Sequence, residues 1–464
     1  MTRFRSLPLA VALACAATAA HADDLMQVYQ EARVSDPTLA GAEATKLATD
    51  ENVDQARSQL LPQIGVDLTF TRSRSGQNGI MQVPNPTTPN DPDNLITVDG
   101  TRLTTYTRST NASLSQSILD ISKWTALKAS HYTADAGAAT YDAAQQQLLI
   151  DVARAYFNVL SAVDTLKFSD ANEKALARQL EQAQQRFEVG LAAITDVNDA
   201  KAQHDQAVAS VIANQNAVDT ARESVRQLTN KEPGDFKRLR EELPLDHPTP
   251  DDPAAWVDVA LKNNPSLKSS ALQVDAADAN INSARAGHLP TITGSLSYGR
   301  APSWSDKHYG GFGDVHAFAG DPRWGSTIQL QLNVPIFSGG YTQSRVRQAI
   351  HNRDFSQDQY EFNRRQVEAA TRNDYRSVIA GASEVEATKA AVVSAQSSVE
   401  ATQAGYEVGT RTIVDVLISQ QTLLQAQSAY STARHTFVLN GLLLKQAAGV
   451  IEVKDLEAIN ALLE

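Results

Sequence analysis

Apolar and small side chains recur at alternating steps of three and four residues along two long parts of the chain. They are Leu149, Val152, Tyr156, Val159, Val163 and Leu166 in the first, and Val385, Thr388, Val392, Ala395, Val399, Thr402 and Tyr406 in the second. A mean period near 3.5 residues is typical of coiled-coil helices. Segments 120–189 and 341–408 contain no proline. Each is therefore predicted to be one helix, roughly 100 Å long at a rise of about 1.5 Å per residue.

Strict alternation marks the predicted strands. Ile328, Leu330, Leu332, Val334 and Ile336 alternate with Thr327, Gln329, Gln331 and Asn333. This pattern gives a strand with one apolar and one polar face. Ile292, Leu296 and Tyr298 suggest its partner strand, and residues 66–70 and 106–118 suggest an earlier hairpin. Long polar loops are predicted at 74–104 and 300–324.

Four such strands cannot close into a barrel by themselves, and lipid does not tolerate an open strand edge. If the strands lie in a bilayer, several chains must contribute to one sheet. No later stretch approaches the roughly 18 apolar residues of a membrane-spanning helix, so strands would have to cross. A soluble four-stranded sheet that caps a helical bundle is the alternative.

The chain is internally duplicated. Matching blocks in the same order are Asp36-Pro37 with Asn264-Pro265, 53–62 with 281–290, Phe187-Glu-Val-Gly190 with Tyr406-Glu-Val-Gly409, and 194–197 with 413–416. We therefore predict a first repeat over 23–232, a linker over 233–253 and a second repeat over 254–464. Each repeat is predicted to hold a helix, a β-hairpin (61–118 and 290–337) and a long helical hairpin (120–230 and 341–449), and the second ends in a short C-terminal segment.

The N-terminus is typical of a secretory signal peptide over 1–22, with Arg3 and Arg5 before an apolar run and a small-x-small cleavage site at Ala20-His21-Ala22. A lipoprotein cleaved before Cys15 is the alternative. Cys15 is the only cysteine, so a chain cleaved after residue 22 would have no disulfide or thiolate metal site. The net charge of −12 becomes about −14 without the two arginines, which argues against a nucleic-acid partner.

The segments at the two helix turns carry a family resemblance. Arg186-Phe-Glu-Val-Gly-Leu-Ala-Ala-Ile-Thr-Asp-Val197 and Gly405-Tyr-Glu-Val-Gly-Thr-Arg-Thr-Ile-Val-Asp-Val-Leu417 closely resemble the TolC family of outer-membrane efflux proteins, as do 25–30, 155–160 and 391–398. The resemblance runs from about Asp23 to the C-terminus.

This resemblance implies an α+β membrane protein, a homotrimer with a twelve-stranded transmembrane β-barrel in the cell outer membrane, continued by a twelve-helix coiled-coil α-barrel in the periplasm. The implied function is the outer-membrane duct of a tripartite efflux pump or a type I secretion system, gated at the helix tips. The implied partners are outer-membrane lipid, a periplasmic adaptor (membrane fusion) protein and an inner-membrane transporter of the RND, ABC or MFS type. No cofactor or metal is implied.

The resemblance also implies roles for single residues. Asp196 and Thr195 would meet Tyr406 and Arg411 in the contacts that hold the entrance closed, and Gln179 and Gln403 would belong to the same network. Asp415 would form a ring of three carboxylates that constricts the entrance and selects ions. The tips that engage the adaptor would be Val189-Gly190-Leu191 and Val408-Gly409-Thr410.

Two positions depart from the family pattern. Gln403 stands three residues before Tyr406, where the best-known member has an acidic residue, so one closing contact would be neutral. Ile418 stands where that member has a second constriction aspartate, one turn after Asp415. Without the resemblance, Thr195 and Asp196 would be interpreted as simple helix-capping residues.

An enzyme and a structural spacer are the two alternative functional classes. An enzyme is disfavoured, because the chain contains no phosphate-binding loop and no HExxH, GxSxG or GxGxxG motif. His308 and His316 fall in a predicted loop, and two histidines close together by chance are a better explanation there than a metal site. A purely structural coiled-coil spacer is the second alternative, but a spacer would have no use for the alternating strands.

Overall fold

The structure is a computed structural model, and it describes residues 24–85, 87–88, 90–311, 313–318 and 321–464. The predicted signal peptide over 1–22, with Cys15, lies outside these residues. The helices are α1 (Leu25–Ser35), α2 (Pro37–Ser58), α3 (Ile121–Glu188), α4 (Ile194–Thr229), α5 (Pro253–Asn263), α6 (Pro265–Ala286), α7 (Tyr341–Glu407), α8 (Ile413–Ala447) and α9 (Val453–Asn460). The strands are β1 (Gln63–Pro84), β2 (Leu95–Leu119), β3 (Thr291–Arg300), β4 (Ser303–Tyr309), β5 (Gly313–Phe318) and β6 (Gly325–Asn333). In the part of the chain that the structure covers, no helix is long and apolar enough to cross a membrane.

The helices match the expected proline-free segments. α3 has 68 residues and α7 has 67, and α4 and α8 follow each of them after a short turn. Two compact units result, and helices α2, α3, α6 and α7 contribute residues to both. The first unit holds residues up to Lys46 with 137–270 and 359–464, and the second holds 47–136 with 271–358.

The first unit is built around one apolar core. Tyr156, Val152 and Val159 of α3 are fully buried in it, together with Leu25 of α1 and Leu456 of α9. Fully burying such a side chain contributes about 1.5–3 kcal/mol. The core therefore ties both ends of the described chain to the long helices.

The predicted linker over 233–253 packs against this core as irregular backbone. The hydroxyl of Tyr156 donates to the carbonyl of Lys237 at 2.9 Å, and Leu239 forms a β-bridge with Leu463 near the C-terminus. The buried guanidinium of Arg434 donates to the carbonyls of Leu239 and Arg240. These bonds satisfy backbone groups that no helix or strand would satisfy.

The second unit contains an antiparallel sheet in the strand order β1-β2-β3-β6. Its register aligns Ile64, Leu114, Leu296 and Ile328 in one row across the four strands. The next row, on the opposite face, is Gly65, Ser113, Ser297 and Thr327. Because successive side chains alternate between faces, the sheet has one apolar and one polar face, as the alternation predicts.

The predicted loops at 74–104 and 300–324 are wrong for most of their length. β1 continues to Pro84 and β2 begins at Leu95, while β4 and β5 form a hairpin that pairs with the outer part of β2. These segments are stabilised by the backbone hydrogen bonds between the strands, by cross-strand pairs such as Asp306–His316, and by a small core of Val83, Val98 and Tyr309. The pairing of β4 with β2 joins residues distant in sequence, and alternating hydrophobicity does not reveal it.

Candidate functional site

Glycine makes the reversal between the long and short helices in both repeats. Gly190 has φ +76° and Gly409 has φ +77°, a left-handed conformation that a β-carbon opposes by about 1–2 kcal/mol. The amide of Leu191 donates to the carbonyl of Arg186 at 2.7 Å, and the amide of Thr410 donates to Gly405 at 2.9 Å. These equivalent bonds close the C-termini of α3 and α7 in the same way.

The helices that follow begin differently. Thr412 and Asp415 form a reciprocal capping box, in which the Thr412 amide donates to Asp415 Oδ2 at 3.0 Å and the Asp415 amide donates to Thr412 Oγ1 at 3.3 Å. In the first repeat, Ala193 replaces this threonine. Its amide donates to Asp196 Oδ2 at 3.4 Å, and the Asp196 amide donates to the Ala193 backbone carbonyl at 3.1 Å, so the side-chain half of the box is missing.

The capping box also fixes the charge of Asp415. Its pKa is lowered because the backbone and the hydroxyl of Thr412 donate to the carboxylate, with a smaller contribution from the nearby Arg411 guanidinium. Both Thr412 bonds reach Oδ2. In the described chain, Oδ1 has no hydrogen-bond partner, so this carboxylate keeps one oxygen for a cation or a neighbouring chain.

Tyr406 is the buried residue of the second tip. It is 5% exposed, whereas its counterpart Phe187 is 42% exposed. The ring packs with Leu176 of α3, Ala207 of α4 and Ile413, Val416 and Leu417 of α8. The two tips therefore differ in the burial of this aromatic side chain, although their backbones reverse in the same way.

Arg186 stacks on this tyrosine. Its guanidinium lies 4.7 Å from the centroid of the Tyr406 ring, and its Nη1 donates to the Tyr406 carbonyl at 3.5 Å. A cation over an aromatic face contributes about 0.5–2 kcal/mol. The contact joins the end of α3 to the end of α7.

Two predicted gate residues meet directly. Gln179 Nε2 donates to Gln403 Oε1 at 2.8 Å, and Gln403 in turn donates to Glu407 at 3.3 Å. Both partners of this contact are neutral amides, and its role in closing the entrance stays a prediction. Two buried atoms here, Gln179 Oε1 and the Tyr406 hydroxyl, have no hydrogen-bond partner within the described residues.

The remaining predicted contacts are not made within the single chain. Among the described residues, neither Thr195 nor Asp196 bonds to Tyr406 or Arg411. The Arg411 side chain instead runs along Gly405, where an added β-carbon would lie 2.7 Å from Arg411 Cγ. A bond from Asp196 or Thr195 to Tyr406 or Arg411 stays a prediction.

The predicted docking tips are exposed and apolar. Val189, Leu191 and Val408 are 69%, 71% and 76% exposed. Ile418, one turn after Asp415, is also exposed. Such side chains on a polar surface mark a protein interaction surface when they cluster, and here they cluster at the two reversals.

Sequence reasoning missed Arg186 as the partner of Tyr406. Arg186 belongs to the first tip motif, but 220 positions separate the two residues. The internal duplication contained a signal for this difference, since the counterpart of Arg186 in the second repeat is Gly405. Only one of the two tips can therefore supply an arginine at this position.

Within the residues that the structure describes, no group of three or more His, Cys, Asp or Glu could hold a metal ion.

The family model "Outer membrane efflux protein" matches residues 28–231 and 256–450. The chain is 37% identical over 462 residues to outer membrane protein TolC of Escherichia coli strain K12, covering 98% of this chain and 88% of that protein. It is 33% identical to outer membrane protein TolC of Vibrio cholerae, covering 99% and 98%.

Solved structures agree on the fold. A crystal structure of CusC aligns with a TM-score of 0.73, covering 92% of both chains at 16% sequence identity. At that identity the likeness concerns the fold alone, which combines long helices with a sheet.

Proposed function

This chain belongs to the outer membrane efflux protein family, and from that premise we propose that three copies form one continuous duct with a gated entrance. The family is one of channels and not of enzymes. The protein is accordingly an outer-membrane efflux channel. The number of copies, the closed barrel and the gate are proposals that rest on the features below.

The two open edges of the sheet carry the proposal. β1 pairs only with β2, and β6 pairs only with β3, among the described strands. Both edge strands expose their apolar face, with Leu68 78% and Ile328 84% exposed. An apolar edge strand in lipid must be paired. Pairing β1 of one copy with β6 of the next satisfies both edges, and three copies of these four strands give a twelve-stranded transmembrane β-barrel.

The helices supply the second half of the duct. Each copy contributes two helical hairpins, α3–α4 and α7–α8, so three copies would give a twelve-helix coiled-coil α-barrel in the periplasm. The tips at Gly190 and Gly409 would then form its entrance. A periplasmic adaptor would bind the exposed apolar tips, and an inner-membrane transporter of the RND, ABC or MFS type would supply the substrate for efflux or type I secretion.

The gate proposal rests on groups that one chain leaves unsatisfied. A buried polar atom without a partner costs about 1–3 kcal/mol, and both Gln179 Oε1 and the Tyr406 hydroxyl are such atoms. Asp196 and Thr195 of a neighbouring copy would bond to Arg411, and to the Tyr406 hydroxyl after a side-chain movement that uncovers it, and would so close the entrance. Asp415, with its lowered pKa and one free oxygen, would give a ring of three negative charges at that point.

Cross-linking tests the edge pairing directly. Thr69→Cys on β1 is combined in turn with Gln329→Cys, Gln331→Cys or Asn333→Cys on β6, which samples the register. We expect at least one combination to give covalent dimers and trimers on oxidation. Ser113→Cys with Ser297→Cys is the matched control, because these residues are register partners inside one chain and should give no ladder. Monomers from all three combinations would contradict the proposed trimer.

A further inference from the structure

The apolar face of the sheet changes character along its strands. Toward the β1–β2 turn, this face carries five aromatic residues, Phe70, Tyr106, Tyr298, Trp304 and Trp324, and five arginines, Arg72, Arg74, Arg102, Arg108 and Arg300, among the described residues. The opposite face remains polar along the same length. The basic residues therefore lie on the face that the proposed function exposes to lipid.

The apolar stretch shifts steadily from strand to strand. On β1 it is centred near Asp67, whose row in the sheet register continues through Asn111 and Gly299 to Gly325. On β6 the apolar stretch is centred near Gln331, six residues away from that row. This is a displacement of about two residues per strand, as strands tilted about 35–45° in a membrane require.

The same displacement relates Arg72, Arg108 and Arg300, the arginines on this face that lie nearest the apolar stretch. Arg300 of β3 pairs with Thr110 of β2, and two residues farther outward on β2 is Arg108. Arg108 pairs with Phe70 of β1, and two residues farther outward on β1 is Arg72. The arginines therefore share one depth, just outward of the apolar stretch.

Each guanidinium rests on an aromatic ring. Arg72 lies 5.5 Å from the ring centroid of Tyr106, Arg108 lies 5.9 Å from Trp304, and Arg300 lies 5.5 Å from Trp324. Stacking fixes the guanidinium plane but leaves its N–H donors at the edge available for a bidentate acceptor.

The charges are largely uncompensated. Within the described residues, Arg72 and Arg108 form no ion pair, and Arg300 shares one with Asp321 at 3.2 Å. All three arginines are exposed. Aromatic side chains mark the membrane–water interface, and arginines at that depth meet the lipid headgroups. Phosphate is the headgroup anion that binds arginine in two parallel hydrogen bonds.

We propose that Arg72, Arg108 and Arg300 form a binding site for the phosphate groups of lipids in the leaflet on the side of the β1–β2 turn. The proposal rests on the proposed function, because it needs the sheet to lie in the membrane. The stacked rings position the guanidinium groups, and the neighbouring apolar stretch contacts the acyl chains. The site would anchor the protein at a fixed depth and attach specific lipids to its outer surface.

Native mass spectrometry of the detergent-purified protein tests the site. It is titrated with diphosphorylated lipid A and with the same lipid after removal of its phosphates. We expect the wild type to prefer the phosphorylated lipid by about tenfold or more. The R72Q/R108Q/R300Q variant should lose this preference, and R72K/R108K/R300K should keep only part of it, because lysine keeps the charge but cannot form the two parallel hydrogen bonds.

Arg102→Gln is the matched control. Arg102 lies on β2 on the same face, six residues outward of Arg108, and its loss should leave the lipid preference unchanged. An equal preference in the triple glutamine variant, or an equal loss in Arg102→Gln, would overturn the proposal. Inorganic phosphate that displaces the bound lipid at an equal concentration would also overturn it, since the site would then recognise a free anion.

Channel conductance separates the lipid site from the proposed duct. A triple glutamine variant that conducts and keeps the lipid preference refutes only the lipid site, whereas a wild type without conductance refutes the duct.

Discussion

Acidification from pH 7 to pH 5 is expected to destabilise the first unit through His435. This imidazole is 4% exposed. Its Nδ1 lies 2.7 Å from the Ser161 hydroxyl, and its ring stacks on Phe157 at 5.7 Å. Burial lowers the pKa of His435 to about 4, while the Asp164 carboxylate raises it and the Arg434 guanidinium lowers it further.

The sign follows from the two states of the chain. In the unfolded chain the pKa returns to about 6.5, so the unfolded state takes up a proton that the folded state refuses. The stability is therefore fully present above pH 6.5 and is lost as the pH falls from there toward 4. The loss from this one group is about 2 kcal/mol per chain at pH 5 and about 3 kcal/mol at pH 4.

Guanidinium unfolding of the detergent-solubilised protein, followed by circular dichroism at pH 7, 6 and 5, measures this loss. His435→Gln should lower stability at pH 7, because it removes the ring packing, but its free energy of unfolding should fall about 2 kcal/mol less between pH 7 and pH 5 than that of the wild type. His131→Gln, at an exposed histidine of α3, should keep the wild-type dependence. If wild type and His435→Gln show the same pH dependence, His435 is not the group through which acid destabilises the first unit.

Three further variants probe the helix tips. Asp415→Ala should abolish the cation preference of the closed channel and its block by divalent ions at low salt, whereas Asp196→Ala should retain the block in planar bilayers; persistent block in Asp415→Ala would remove this residue from the constriction. Arg411→Ser should raise the closed-state conductance by loosening the entrance, and a wild-type value would count against its role in the gate. Gly409→Ala should cost about 1–2 kcal/mol at its positive φ and make the tip more sensitive to limited proteolysis. Gly441→Ala, in the last part of α8 where an added β-carbon meets no atom, should not; equal protection in both variants would be the contrary result.

The sequence could predict the long helices and the two faces of the sheet because both depend on local patterns. A proline-free stretch with a 3.5-residue period leaves few alternatives to a helix, and the alternation around Leu330 leaves few to a strand. The hairpin of β4 and β5 could not be predicted in this way. Its apolar residues, such as Trp304 and Tyr309, do not alternate regularly with polar ones, and pairing with β2 over a long sequence distance stabilises it.

The tip shows the same division. The glycine reversals at Gly190 and Gly409 could be predicted, because their backbone requirement is local. The stacking of Arg186 on Tyr406 and the burial of the tyrosine ring depend on where α3, α4, α7 and α8 meet, and helical periodicity does not encode that meeting. The duplication only showed that the two tips differ.

Single-channel recording of the purified protein in planar bilayers tests the duct most directly. The proposed duct should give discrete, cation-selective openings from an SDS-resistant particle that dissociates into single chains on heating. The mass of this particle should be three times that of one chain. A monomer without conductance, with or without the helical signature of α3 and α7, would refute the proposed duct and leave a structural spacer as the function of this chain.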